Sequence, residues 1–124
     1  MTLKNNILQI ERENGEFDKV EFLFRYVNLN SEQFQYIQNE ISNLNISSRK
    51  LRDETFVITL PLNENANPKK IIEINNHLNL NDCDFGLCIS FTSNYDHSGF
   101  RLPKFIKEFY KEVGGEFDCS IINI

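Results

Sequence analysis

Asp96, His97 and Ser98 are the residue types of a hydrolase triad, and they stand side by side. Adjacency defeats them, because consecutive side chains point apart, whereas a triad is assembled from separated positions so that nucleophile, base and orienting acid hydrogen-bond in series. No G-x-S-x-G elbow accompanies them, and a polar loop accounts for all three. His77 and His97 are the two histidines; an acid–base pair would need the fold to bring them together, and the plainer reading is two solvated imidazoles. Asp82-x-Asp84 opens like a cation loop, yet the remaining positions of an EF-hand are missing. Cys83, Cys88 and Cys119 form an odd set with no C-x-x-C spacing, and Cys88 and Cys119 lie in apolar runs, so buried free thiols are expected rather than a zinc site or a disulfide frame. Gly86, Gly99, Gly114 and Gly115 fall where a strand start, a loop and a helix stop need them, not in a phosphate-binding loop. No catalytic residue, metal or cofactor is assigned on this reading, and the chain is expected not to be an enzyme.

Charge is more informative. The chain carries 13 Lys and Arg against 18 Asp and Glu, a formal charge of -5. From Ile71 to Phe100 there is neither Lys nor Arg, while Glu73, Asp82, Asp84 and Asp96 are all present. The loops leaving this stretch are therefore expected to form an acidic surface, with Tyr95 and Phe100 either folded back or offered as aromatic anchors. The residues predicted to contact a partner are Asp82, Asp84, Tyr95, Asp96, His97 and Phe100. Such a surface steers a basic partner and fixes its register more than it adds affinity; the bland alternative is a solvated loop that keeps the chain soluble. Basic residues collect elsewhere, at Arg49, Lys50 and Arg52, at Lys69 and Lys70, and along Lys104, Lys107 and Lys111. Glu108 and Glu112 accompany the last three, so that helix face reads as laced with ion pairs rather than as an RNA platform. General nucleic-acid binding is disfavoured, since it needs clustered cations to displace counterions.

These residues need elements to position them, and 124 residues with 40% apolar content suit one globular domain, 1–124, with a core that needs no staples. No apolar run is long enough to span a bilayer, and MTLKNNILQIERENGE lacks the apolar stretch of a signal peptide, so no membrane contact and a cytoplasmic location are expected. Residues 6–12 and 20–28 read as strands, the second alternating Val20, Phe22, Phe24 and Tyr26 with Glu21, Leu23, Arg25 and Val27; Asn14-Gly15 between them signals a hairpin. Phe34, Ile37, Ile41 and Leu44 predict a helix over 32–45, capped at Ser31 without a full capping box. Residues 46–52 make a weak, charged edge strand, and 55–62 a firm one. Asn67-Pro68 starts a second helix to about Leu78, FGLCISF is a central strand, and a third helix runs from Pro103 to the Gly114-Gly115 stop before a final strand. The order β-β-α-β-β-α-β-α-β contains the split βαβ arrangement, so the expected class is α+β. It is read as a ferredoxin-like, mostly antiparallel sheet with three helices, an extra N-terminal strand and a C-terminal helix-strand unit. If 46–52 is not a strand, a mixed or parallel sheet covered on both sides is the alternative.

The last third, SFTSNYDHSGFRLPKFIKEFYKEVGGEFDCSIINI, together with the small acidic α+β character of the whole, resembles the immunity proteins of bacterial polymorphic-toxin and contact-dependent growth-inhibition systems. That resemblance implies a toxin inhibitor of the toxin–antitoxin kind. It would bind the C-terminal toxin domain of a secreted effector, often a basic nuclease, and cover its active site. These families share no universal motif, so the contact residues named above rest on this chain's own charge pattern. Two other classes stay open: a small enzyme or ligand-binding domain using His77 or His97 in a cleft, and a homodimeric regulatory module joined through a sheet edge or face.

Overall fold

A computed structural model describes residues 2–12, 17–93 and 100–123. In chain order the elements are β1 (Thr2–Lys4), β2 (Ile7–Glu11), β3 (Phe17–Leu29), α1 (Ser31–Glu40), β4 (Ser47–Lys50), β5 (Phe56–Pro61), α2 (Pro68–His77), β6 (Phe85–Ser93), α3 (Lys104–Val113) and β7 (Glu116–Asn123). The fold is α+β, with three helices and a mostly antiparallel sheet of seven strands. That is one strand more than the sequence order supplied, because the N-terminal segment doubles back on itself. Asn5, at φ 57, makes the tight turn that pairs β1 with β2. The Asn14-Gly15 turn lies outside the described residues, but the strands on either side of it do pair antiparallel, from Ile7↔Glu21 to Glu11↔Phe17.

β3 is the spine of the sheet, 13 residues long. One edge carries β6 from Lys19 to Tyr26. The other is shared by β2, along Phe17 to Glu21, and β5, along Leu23 to Leu29. Phe22 sits where they abut: its N–H donates to the Asn6 carbonyl at 2.9 Å and its carbonyl accepts from the Leu62 N–H at 3.0 Å. β4 closes the side beyond β5 as the expected edge strand, exposed along its whole length. β7 closes the other side, parallel to β6, as a strand joined through a helix must be when it returns to the same end.

The alternation reads directly into burial. Val20, Phe22, Phe24 and Tyr26 are all 0% exposed under the helices, and Leu87, Ile89 and Phe91 of β6 join them, while Glu21, Leu23, Arg25, Cys88 and Ser90 face the side that no helix covers. Ile37 and Ile41, Ile71 and Ile74, and Ile106 and Phe109 supply the helical half of this core. The Tyr26 hydroxyl, inside it, donates to Asn75 Oδ1 at 2.8 Å, and burial pushes the phenol's pKa up.

Three local readings need correction. The cap of α1 is Asn30, not Ser31: Asn30 Oδ1 accepts the Gln33 N–H at 2.8 Å and Gln33 Oε1 accepts the Asn30 N–H at 2.9 Å, a full capping box with Gln in the reciprocal place. The helix then stops at Glu40 rather than 45, and Leu44 of the expected apolar stripe is 44% exposed. The expectation of buried thiols fails for Cys83, in a loop, and for Cys119. Cys119 pairs with Ile89 and so points to the helical side, but α3 reaches β7 only at its start, where Tyr110 meets Phe117 edge-on. Phe117 and Ile121 are consequently 45% and 75% exposed. By contrast α2 starts as read, Asn67 accepting the Lys69 N–H at 3.1 Å. At Gly115, φ is 91° and a Cβ would lie 2.6 Å from the Phe85 carbonyl oxygen, so the helix stop is also a point of close backbone contact.

Thiol reactivity checks this placement. Cys88 is half-buried, and that burial raises its pKa against the opposing influence of Arg25. Cys83 and Cys119 are expected to take up a maleimide in the folded protein at least about tenfold faster than Cys88. Mass spectrometry of timed, quenched samples reads the order directly; equal rates at Cys88 and Cys119 would contradict the arrangement of β6 and β7.

Candidate functional site

Asp82 and Asp84 sit in the connection from α2 to β6, and the sequence builds that connection tightly. Asn79, at φ 53, ends the helix in the left-handed region that asparagine tolerates. The Leu80 N–H donates to the Asn75 carbonyl at 3.0 Å. Asp84 Oδ2 accepts the Asn81 N–H at 3.0 Å, and the Asp84 carbonyl accepts the Val27 N–H at 2.8 Å, which ties the loop to the end of β3. Asp84 is therefore committed to the loop's shape, and Asp82 is the exposed carboxylate that the loop presents.

Topology brings further acids to the same end. β3 finishes there and β5, β6 and β7 begin there, so Glu32 in the first turn of α1, Asp53 and Glu54 in the β4–β5 turn, and Glu116 at the start of β7 lie at the end that carries Asp82 and Asp84. Lys50 and Arg52 are the basic residues of that turn, and Lys50 is paired with Glu54 at 2.6 Å. Asp53 Oδ1 accepts both the N–H and the hydroxyl of Thr55, at 3.1 and 2.6 Å, and these bonds hold its pKa below the usual carboxylate value. Asp53 and Glu54 are exposed but engaged in these contacts; Glu32, Asp82 and Glu116 are exposed without such a contact among the described residues, spread across three separate parts of the chain. The charge run from Ile71 to Phe100 pointed to Asp82; the other two were missed because they reach this end only through strand pairing.

Phe100 lies elsewhere. β6 spans Phe85 to Ser93, and at about 3.3 Å per residue its two ends are roughly 27 Å apart. Asp82 and Asp84 precede the strand and Phe100 follows it, so the fold does not bring them onto one patch. Of the two states open to Phe100 the ring takes the folded-back one, 5.3 Å from Phe91 and 6.4 Å from Phe22 between centroids. Tyr95, Asp96 and His97 lie outside the described residues.

His77 occupies the exposed last turn of α2, stacked on Tyr36 of α1 at 4.3 Å and 12°. Lys70 Nζ, two turns back on the same face of α2, meets Glu40 Oε2 at 2.6 Å. That contact lowers the Glu40 pKa and raises the Lys70 pKa, each mainly through the shared hydrogen bond. Next to this pair a cavity of about 440 Å³ opens under the β5–α2 connection, with Leu60, Leu62, Ile71 and Phe109 as its floor and Asn43, Asn45 and Asn65 at its rim; His77 is not part of its lining. Several amides nearby are spent on shape: Asn63 donates to Asn5 at 3.1 Å and accepts the Asn65 N–H at 2.8 Å. No described helix is long and apolar enough to cross a membrane.

No protein-family model matches the chain, and neither does any curated protein or solved structure.

Proposed function

We propose that this chain is an immunity protein that neutralises a cognate toxin domain, docking the acidic end of its sheet onto a basic toxin surface. The observation that carries the reading is the placement of Glu32, Asp82 and Glu116, exposed and from three separate parts of the chain, at one end of the sheet. A preformed negative patch on a rigid scaffold raises the encounter rate with a cationic partner and disfavours acidic ones. In fold terms, the strand order β6-β3-β5-β4 with α1 and α2 as crossovers supports the ferredoxin-like reading. On that reading β1 and β2 extend one side of the sheet, and α3 with β7 the other.

The test is a complex. This chain is co-expressed with the C-terminal toxin domain encoded beside it, and growth rescue and binding are measured. A tight one-to-one complex with rescue is expected. Glu32→Lys, Asp82→Lys and Glu116→Lys combined are expected to weaken it more than about tenfold and to flatten its salt dependence. Asp84 is left intact because its carboxylate holds the loop. A neighbouring domain that neither binds nor harms cells overturns the immunity reading; a complex indifferent to all three reversals removes the acidic end as its surface.

A further inference from the structure

The side of the sheet that no helix covers has a second concentration of charge, of the opposite sign. Arg25, Thr59 and Ser47 stand in one row across β3, β5 and β4, since Arg25 pairs with Thr59 and Thr59 with Ser47. Arg49 is two positions further along β4, opposite Val57 and on the same side. The two arginines line one hollow of about 330 Å³ together with Ser47, Ser48, Val57 and Thr59. Val57, its apolar floor, is 5% exposed.

Among the described residues neither guanidinium makes an ion pair. The ion pairs among the described residues engage Arg12, Lys50, Lys70 and Lys104, not Arg25 or Arg49. Arg25 makes one hydrogen bond, from Nε to Thr59 Oγ1 at 3.4 Å, which leaves its terminal nitrogens uncommitted. In a chain with 18 carboxylates and 13 cations, two arginines converging on a hollow lined by no carboxylate are a departure from random pairing. The acids that share this side, Glu11, Glu21, Glu116 and Asp118, stand on β2, β3 and β7; Glu21 and Asp118 line a second hollow that Arg25 also borders, and no acid lines the one between Arg25 and Arg49.

We infer that this hollow is an oxyanion site, taking the phosphate group of a small phosphomonoester between Arg25 and Arg49, with the Thr59 and Ser47 hydroxyls as further donors. Each guanidinium presents a planar fork that matches two oxygens of a phosphate. A phosphate dianion offers three terminal oxygens, enough for two forks and a hydroxyl, where a carboxylate offers two. The volume beyond the phosphate itself accommodates a small attached group above Val57.

The test is a titration of the full chain, followed by ¹H–¹⁵N spectra that include the arginine side-chain Nε–H signals. Inorganic phosphate, adenosine monophosphate and acetate are the probes, at constant ionic strength. Saturable shifts at Arg25, Arg49, Ser47 and Thr59 are expected with both phosphates and not with acetate. Tighter binding of the nucleotide marks a phosphomonoester as the occupant, and equal affinity marks free phosphate; both uphold the site. Arg49→Met, on an exposed edge strand where folding is unaffected, is expected to weaken binding at least about tenfold, and Arg49→Lys by roughly threefold or more because a point charge cannot fork. Shifts that do not saturate, or that spread equally over the lysines of α3, overturn the proposal, as does unchanged binding by Arg49→Met. No toxin enters this measurement, so its failure leaves the immunity reading where it stood.

Discussion

Replacing Asp18 by alanine is expected to cost about 3–5 kcal/mol, the loss typical of one partner removed from a buried ion pair. Asp18 opens β3 with its side chain 2% exposed, and Arg12, just beyond β2, reaches it with both Nε and a terminal nitrogen, at 3.1 and 2.5 Å. The same guanidinium touches Ser93 Oγ at 3.4 Å, so one charge cluster holds β2, β3 and the last residue of β6 together. Without the carboxylate, Arg12 is left largely buried among groups that cannot neutralise it. Urea denaturation at pH 7 measures the loss, and a value under about 1 kcal/mol would mean that the pair is solvated. The hydrogen bonds from Arg12 hold the Asp18 carboxyl below its ordinary pKa, against the opposing pull of desolvation. A depressed folded-state pKa contributes stability above the unfolded value, near 4, and loses it as pH falls through the folded value. The gap between the parent chain and Asp18→Asn should therefore hold steady from pH 7 down to about 4 and narrow only below that.

Phe24→Ala is expected to be as severe, about 3–5 kcal/mol, with a fall in Tm of roughly 10–20 °C. Phe24 is 0% exposed, and its ring lies 5.1 Å from Tyr26, 5.5 Å from Phe109 and 6.0 Å from Phe85. It is the side chain through which β3, β6 and α3 share one aromatic cluster, so truncation leaves a cavity bounded by three elements that cannot all collapse into it. Phe24→Leu, which keeps most of the volume, should recover more than half of the loss. Thermal melts of the two variants separate volume from edge-to-face geometry, since the latter contributes only about 0.5–1.5 kcal/mol per pair.

Much of this fold was legible because its strands obey a two-residue period wherever one side is buried. Val20 to Tyr26 and Leu87 to Phe91 declared their inner sides, and Asn67-Pro68 declared a helix start through chemistry confined to neighbouring residues. What could not be read depended on distant partners. Parity assigned Cys119 to the helical side, but whether a helix reaches that far is decided by the lie of α3, so the thiol proved exposed. The charge gap from Ile71 to Phe100 was real in sequence, yet a nine-residue strand carries its two ends apart, and no local pattern reveals that. Arg25 and Arg49 read as an ordinary strand residue and an edge charge; β5, lying between their strands with Val57 and Thr59 on the same side, is what brings them to one hollow.

The junction at Phe22 also divides the molecule's cooperativity. β2 and β5 lie end to end along β3 with no ladder of their own joining them; Phe22 gives its N–H to the Asn6 carbonyl, and its carbonyl accepts from the Leu62 N–H on one side and from Asn6 Nδ2, at 3.3 Å, on the other. Once the Arg12–Asp18 pair opens, the β1–β2 hairpin can peel away while β5, β3 and β6 keep every bond they share, which makes it a natural unit of sub-global opening. Each such excursion bares the Phe17–Glu21 stretch of β3, a row of unpaired backbone groups matched in length to one short strand. Residues 2–12 thus act as a built-in occupant of an otherwise receptive edge, and any second strand that competes for it must wait for them to leave.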